Sequence, residues 1–202
     1  MCSSDLAGLQ KFLETTSRSP DTVVHYEFMQ DFRVHFKHED GSTETVPFFG
    51  LKTNQLKDVF APSCMSCFDY VNGLADLVVG YMGAPFGWQW VVVRNPRGQK
   101  MLDLVLDQLE RQPVNSQGDR HQAVQQSIPA YDQGVTLPMW AARLMGVLIE
   151  RLGPKGLEYA RFSIDSHFTR NYLYLKRHHP EKLQAHVPEF AQQIVSQYQL
   201  PD

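Results

Sequence analysis

The sequence predicts an α+β (mixed α/β) fold, in which a β-hairpin and a mixed sheet with flanking helices precede a helical C-terminal arm. Three observations predict it. Apolar and polar residues alternate in DFRVHFKHEDGSTETVPFF, two short apolar runs follow in the middle of the chain, and the last third repeats apolar residues at helical spacing. Strands early in the chain and helices late are typical of an α+β unit.

Composition is that of one ordinary globular domain. The chain has 202 residues, of which 43% are hydrophobic and 20% charged. The net charge of -3, with both signs interspersed, argues against a nucleic-acid partner. Three cysteines are too few for a disulfide scaffold and favour a reducing, intracellular setting. We find no apolar stretch as long as a membrane-spanning helix.

The first six residues, MCSSDL, have no basic region and no apolar core of a signal peptide. They match the translation of a widely used sequencing adapter. We therefore expect residues 1–6 to be a cloning or assembly scar and the native protein to continue upstream of Ala7. On this expectation Cys2 is not a native ligand.

The first half of the chain alternates between helix and strand signals. LAGLQKFLETTS predicts a helix that ends near Thr16, and TVVHYEFM predicts a strand. Phe32, Val34 and Phe36 then alternate with polar residues, Asp40-Gly41 makes a turn, and a second strand follows over residues 43–49. The apolar face of this hairpin should be buried and its charged face wet.

The middle of the chain predicts a small apolar layer. TNQLKDVF is interpreted as a short helix, and LADLVVGYMG and WQWVVVRN as buried strands. NPRG, residues 95–98, is interpreted as a turn. QKMLDLVLDQLERQ repeats apolar residues at helical spacing and predicts an amphipathic helix on those strands.

The predicted division of the chain has three parts after the scar. Residues 7–112 form the mixed α/β portion, and residues 113–136, which are polar and interrupted by prolines, form a long loop. Residues 137–202 form the helical arm, and the whole is the C-terminal part of one protein. The predicted helices of the arm are MWAARLMGVLIERLG, LEYARFSIDSHFTRNYLYLKRHH and EKLQAHVPEFAQQIVSQYQ.

Cys64 and Cys67 form a Cys-x-x-Cys pair ahead of an apolar run. Such a turn can present two thiolates to iron or zinc, which soft sulfur ligands favour. A redox dithiol and plain buried cysteines are the alternatives from spacing alone. Zinc would need two more ligands, and a 4Fe–4S cluster would need a full set of four.

Two further segments are candidates for a binding site. GYMGAP, residues 80–85, places small residues just after a strand, where a backbone can approach a cofactor closely; a tight turn between strands is the alternative. In IDSHFTRN, His167 and Asn171 lie four residues apart and share a helix face. An amphipathic core helix is the alternative for that segment.

Four segments together resemble the beta-subunit family of deazaflavin-reducing hydrogenases. They are VVHYEFMQDFRVHFKHEDGSTETVPFF, APSCMSCFDYVNGLADLVVGYMGAP, VVVRNPRGQKMLDLV and GPKGLEYARFSIDSHFTRNYLYLKRHHPEK. The family also contains plant 7-hydroxymethyl chlorophyll a reductases and cyanobacterial ferredoxin-dependent 8-vinyl reductases. The resemblance runs from about Ala7 to the C-terminus. The family's N-terminal portion, with its further cluster cysteines, is absent here.

The resemblance implies FAD and a 4Fe–4S cluster, with ferredoxin as electron donor and a tetrapyrrole (chlorophyllide) as substrate. It implies that Cys64 and Cys67 bind the cluster, whose remaining ligands lie upstream, and that His167 and Tyr172 are candidate proton donors. It implies a flavin site formed by Gly80, Met82, Gly83, Ala84, Arg170 and Asn171. A cytoplasmic location in a phototrophic bacterium follows, and peripheral contact with the photosynthetic (thylakoid) membrane and a homo-oligomer stay open.

Within the family, the uninterrupted segment GYMGAPFGWQWVVVRN resembles the vinyl reductases more. The expected activity is therefore reduction of the 8-vinyl group of divinyl (proto)chlorophyllide, by a CH–CH oxidoreductase of chlorophyll biosynthesis. The fragment alone is expected to be inactive. Alternatives are 7-hydroxymethyl chlorophyll a reduction and an electron-transfer beta subunit of a hydrogenase or dehydrogenase complex. A zinc-stabilised binding module is the least specific alternative.

Overall fold

The α+β fold class is confirmed, with small antiparallel sheets in the first part and helices at the end. A computed structural model describes residues 6–29, 33–52, 55–56, 59–81, 84, 88–133 and 137–201. The predicted scar therefore lies almost wholly outside the described residues, as do Phe32 and half of the short helix predicted in TNQLKDVF.

The first layer is a three-stranded sheet covered by a helix. Helix α1 (Leu6–Thr16) packs on strands β1 (Val23–Phe28), β2 (Arg33–His38) and β3 (Thr43–Pro47), which pair antiparallel in that order. Val34 and Phe36 are fully buried, and the Phe12 ring lies 5.9 Å from that of Phe36. The predicted alternation and the turn at Gly41, which has φ +82°, are confirmed.

The two middle strands form, but they are not buried as predicted. Strands β4 (Leu77–Gly80) and β5 (Trp90–Val93) pair only with each other among the described residues. Val79, Val91 and Val92 are exposed, and because Val91 and Val92 point to opposite faces, both faces of this sheet are incompletely covered by the described chain. The prediction that these two segments are strands is therefore confirmed, and the prediction that they are buried is wrong.

The helix after these strands is shorter and starts earlier than predicted. Helix α3 spans Pro96–Asp103, because the Asn95 side chain accepts hydrogen bonds from the backbone N–H groups of Arg97 and Gly98 and so caps its first turn. The segment predicted as a turn is thus the helix start. The chain leaves the α-helix at Leu104, so Val105 and Leu109 do not continue its face and are exposed.

The predicted loop over residues 113–136 is wrong for most of its length. Strand β6 (Ser116–Gln117) pairs with β7 (Lys155–Gly156), and helix α4 covers Arg120–Gln133 with Pro129 inside it. Val124 and Ile128, four residues apart, bury one narrow face against Leu173 of the long C-terminal helix Leu157–His178. A glutamine-rich segment with so few apolar residues carries a weak periodic signal.

The C-terminal arm is built around one long helix. Helix α5 (Met139–Leu152) is followed by α6 (Leu157–His178), which contacts α4, the cysteine segment and α8. The last predicted helix is divided into α7 (Leu183–His186) and α8 (Glu189–Val195), since Val187 precedes a proline and adopts an extended backbone. Phe168, Leu175 and Val195 form the buried core of the arm.

The buried carboxylate of Asp165 links three segments of the C-terminal half through hydrogen bonds. Asp165 of α6 accepts hydrogen bonds from Arg120 Nε at 3.1 Å and from the Tyr198 hydroxyl at 2.6 Å. Arg120 also pairs with Glu158 at 3.4 Å. These contacts join α4, α6 and the C-terminal segment, and they fix the long helix that carries the candidate site.

Within the described part of the chain, none of the helices combines the length and apolar character needed to span a bilayer.

Candidate functional site

The Cys-x-x-Cys segment folds as one tight turn. Cys64 lies in the short helix α2 (Pro62–Met65), and Cys67 follows it after one residue of non-helical backbone at Ser66. The Cys67 N–H donates to the Cys64 carbonyl at 3.4 Å, and the Asp69 N–H donates to Cys67 Sγ, also at 3.4 Å. Both cysteine side chains are half-buried. A backbone N–H directed at sulfur is a contact that tunes metal-bound thiolates.

Helix α6 holds this turn through a buried amide. Asn171 is fully buried, and its Nδ2 donates to the carbonyl oxygens of Cys64 at 3.1 Å and Cys67 at 2.7 Å. Both protons of that nitrogen are thereby used. The contact spans more than a hundred residues of sequence, so the conformation of the cysteine turn depends on the position of α6.

His167 provides the second contact, and its protonation state follows from its partners. Arg170 Nη2 lies 3.0 Å from His167 Nδ1, and a guanidinium can only donate, so Nδ1 carries the lone pair. The proton of the neutral ring is therefore on Nε2, which donates to the Cys67 carbonyl at 3.0 Å. Burial, and secondly the charge of Arg170, lower the His167 pKa to about 4. The imidazole is neutral at physiological pH.

Arg170 fixes both of these side chains. Its Nε donates to Asn171 Oδ1 at 3.2 Å while its Nη2 donates to His167. Burial lowers the pKa of its guanidinium from the ordinary value, yet the group remains charged at any physiological pH. Arg170, His167 and Asn171 thus form one hydrogen-bonded unit on successive turns of α6.

Aromatic side chains enclose the unit and the cysteine turn. The Tyr70 ring stacks on His167 with centroids 4.3 Å apart, and its hydroxyl lies 3.1 Å from Ser163 Oγ. On the other side Phe68 packs on Phe168. His186 of α7 adds a third contact, 3.0 Å from the Ser66 carbonyl oxygen. The turn is therefore held by α6 and α7 together.

Five of the ten predicted site residues come together here. They are Cys64, Cys67, His167, Arg170 and Asn171. The structure does not bring the other described ones into this hydrogen-bond network. Tyr172 packs in the apolar cluster of the arm, Gly80 ends β4 beside open space, and Ala84 is buried just beyond it. Met82 and Gly83 lie outside the described residues.

Tyr70 and His186 were missed by sequence reasoning. Tyr70 is three residues beyond Cys67, and an aromatic ring so close to a candidate ligand could have been noticed. His186 has no sequence signal, because it reaches the turn only through the break between α7 and α8.

The donor set fits half of a four-ligand metal site. Two thiols lie on one tight turn, and among the residues described no group of three or more His, Cys, Asp or Glu could hold a metal ion. A zinc ion or a 4Fe–4S cluster at this turn would therefore take its remaining ligands from other residues. Among the described residues, no hydrogen bond or ring contact indicates where a flavin would bind.

We expect Asn171→Leu to destabilise the protein by about 2 kcal/mol, because it leaves the Cys64 carbonyl and an Arg170 N–H without their buried partner. The change is close to isosteric, so a cavity contributes little. The free energy of unfolding in urea measures it. Gln193→Leu removes an exposed amide that bonds only Glu189 on the same helix and should change stability by less than about 0.5 kcal/mol. Equal losses for the two variants would contradict the assigned contact.

Comparisons with known proteins show the family to which the chain belongs. Residues 1–117 match the family described as the C terminus of the coenzyme F420 hydrogenase/dehydrogenase beta subunit. Protein all1601 of Nostoc sp. (strain PCC 7120) is 80% identical over 196 residues, which cover 97% of this chain and 49% of that protein. The 7-hydroxymethyl chlorophyll a reductase of Oryza sativa subsp. japonica is 46% identical over 207 residues, covering 95% of this chain and 44% of the rice protein.

A solved structure shares the fold. A chain of the F420-reducing NiFe hydrogenase complex from Methanosarcina barkeri superposes with a TM-score of 0.55 at 21% identity, covering 89% of this chain and 48% of that one. The chain thus spans about half the length of the relatives it matches. Because the family match covers more than half of its residues, the chain belongs to the coenzyme F420 hydrogenase/dehydrogenase beta-subunit family, in the C-terminal part, and is related to oxidoreductases.

Proposed function

We propose that the chain is part of an iron–sulfur flavoprotein that reduces the 8-vinyl group of divinyl (proto)chlorophyllide with electrons from ferredoxin. One observation supports the redox role: Asn171 and His167 together donate hydrogen bonds to the carbonyl oxygens of Cys64 and Cys67. These hydrogen bonds hold the turn through its backbone, and such outer contacts are the ones that orient metal-binding residues. The relatedness to a chlorophyll a reductase supports the tetrapyrrole part.

In this proposal Cys64 and Cys67 supply two of the thiolates of a 4Fe–4S cluster, and the polypeptide outside this chain supplies the rest. The cluster and FAD, when bound, supply the electron transfer. The chain's own residues orient the cysteine turn through Asn171 and His167, and the Tyr70 ring stacks on His167. We assign Gly80, Met82, Gly83 and Ala84 to the flavin side of the site on the family resemblance alone.

Reduction of a vinyl to an ethyl group consumes two electrons and two protons. Ferredoxin supplies the electrons, and the protons come from water or from a side chain. His167 and Tyr172 remain the candidate donors. The His167 Nε2–H is already donated to the Cys67 carbonyl. A neutral imidazole is a very weak acid, so proton delivery from His167 would also require prior protonation at Nδ1, which its low pKa and the Arg170 contact disfavour.

Reduction at the 7-hydroxymethyl group is the second candidate function. The identity of 46% to the rice enzyme favours it. The same alignment runs over 207 positions although it covers 95% of the 202 residues, so it contains insertions relative to this chain. The alignment with the Nostoc protein runs over 196 positions and 97% of the chain. Our preference for the vinyl reductase rests on the uninterrupted segment GYMGAPFGWQWVVVRN.

Complementation tests the proposal. The complete gene is placed in a phototroph that lacks vinyl reductase, and pigments are separated by chromatography. We expect monovinyl pigment to return, and persistent divinyl pigment would contradict the proposal. The same cells supplied with 7-hydroxymethyl chlorophyll a test the second candidate, which predicts conversion of that pigment instead.

An electron-transfer subunit without pigment turnover is the alternative from another class. Absorbance titration of the purified complete protein with chlorophyllide separates it from an enzyme. Saturable binding of the pigment supports the reductase. A stable larger complex that transfers electrons and binds no pigment would favour the electron-transfer role.

A further inference from the structure

Among the residues that the structure describes, Arg170 is a partly buried cation without an anionic partner. Its Nε and Nη2 donate to the neutral groups Asn171 Oδ1 and His167 Nδ1. No carboxylate within the described ranges forms an ion pair with it. The titratable groups near it on other elements are the phenols of Tyr131 on α4 and Tyr70 beside the cysteine turn.

Two other arginines, on α4 and α6, do pair with carboxylates. Arg120 pairs with Asp165 and Glu158, and Arg161 pairs with Glu158 at 2.9 Å. The Arg161 side chain is half exposed to solvent. For Arg170, burial is the largest cause of its lowered pKa. A charge removed from water without a counter-charge is costly, and proteins compensate it by pairing or by a bound ion. The position of Arg170 is therefore one where a negative charge would be stabilised.

The contacts of Arg170 lead to the cysteine turn. Arg170 Nη2 donates to one nitrogen of the His167 ring, and the other nitrogen donates to the Cys67 carbonyl. Only an imidazole ring separates the cation from the backbone of a proposed ligand. A 4Fe–4S core held by thiolates is negatively charged and becomes more so on reduction. It is the anion that the proposed function places at the far end of these contacts.

We propose that Arg170 is the counter-cation of the cysteine-ligated redox centre, a positioning residue that acts through His167 and stabilises the reduced state. This inference rests on the proposed function. A fixed positive charge in a poorly solvated position favours the more negative oxidation state, and net charge near a cluster is one determinant of its potential. Removing the charge should lower the midpoint potential and leave the number of ligands unchanged.

The test uses the polypeptide expressed from the complete gene and purified without oxygen. Iron is measured first, and the midpoint potential is then determined by redox titration followed by electron paramagnetic resonance. Arg170→Gln should shift the potential to lower values, and Arg170→Lys, which keeps the charge, should stay near wild type. Arg161→Gln removes a half-exposed charge, paired with Glu158 on the same helix, and should leave the potential unchanged.

Each other outcome decides the matter as well. Wild-type protein without iron overturns the proposed function and this inference together, whereas iron with equal potentials in all variants overturns this inference alone. If Arg170→Gln fails to retain iron, retention by Arg170→Lys supports the role of the charge, and equal loss in both contradicts it. Weaker FAD binding at an unchanged potential would show that Arg170 serves a flavin oxyanion, and would also overturn the proposal.

Discussion

Replacement of Cys64 or Cys67 by serine is expected to remove most of the iron and sulfide from the complete protein and to abolish ferredoxin-driven reduction. A hydroxyl is a poor ligand for iron, and a cluster with a missing thiolate is labile because its exposed iron is open to oxygen and solvent. The fold should persist, since Asn171 and His167 bind the backbone carbonyls of the turn and not its thiols.

The control for these variants lies in the same turn. Ser63 is exposed in α2 between the proline that starts the helix and Cys64. Ser63→Ala should keep iron, sulfide and activity at wild-type values. FAD binding should survive in the cysteine variants, because the predicted flavin residues are others. Full retention of iron after either cysteine substitution would show that the turn does not hold the cluster.

The largest loss of stability is expected from Gly156→Ala, at about 3 kcal/mol. Gly156 has φ +62° and ψ −130°, outside the regions that L-residues adopt easily. A Cβ there would overlap the carbonyl oxygen of Asn115. That oxygen cannot move aside freely, since it accepts a hydrogen bond from the Leu157 N–H at 2.7 Å. Urea unfolding at constant pH gives the difference.

Gly41→Ala is the matched control for this prediction. Gly41 also has a positive φ, +82°, but a Cβ at that position meets no atom within 4 Å. Only the conformational penalty applies, about 1 kcal/mol. Gly156 precedes α6 directly, so Gly156→Ala should also reduce iron retention by displacing Asn171, whereas Gly41→Ala should not. Similar unfolding energies for the two variants would contradict the account of the α6 start.

The fold could be predicted from the sequence where one apolar face carries the signal. The alternation in β2 and the long amphipathic α6 are both confirmed, because each buries a regular set of side chains. Prediction from the apolar pattern failed in two segments, where the burial of a residue does not follow from its hydrophobicity. The valines of β4 and β5 lie in a two-stranded sheet with an uncovered face, and α4 is held by two apolar residues and the pair of Arg120 with Asp165.

The site was predictable in part. Spacing alone placed His167 and Asn171 on one helix face. The distance of 3.1 Å between Asn171 Nδ2 and His167 Nε2 confirms it. Neither spacing nor composition could reveal that this face meets the backbone of Cys64 and Cys67, because the contact depends on how α6 packs on α2. The same long-range packing left Arg170 without a carboxylate among the described residues. That property depends on which groups surround it in space, and a linear pattern does not record it.

Metal analysis of wild-type protein tests the central claim most directly. The polypeptide from the complete gene is purified without oxygen, and its iron, acid-labile sulfide and zinc are measured per chain. The account predicts iron and sulfide in about equal amounts and no stoichiometric zinc. Stoichiometric zinc without iron would identify the cysteine turn as part of a structural zinc site, and protein free of both metals would contradict a metal-binding role for Cys64 and Cys67.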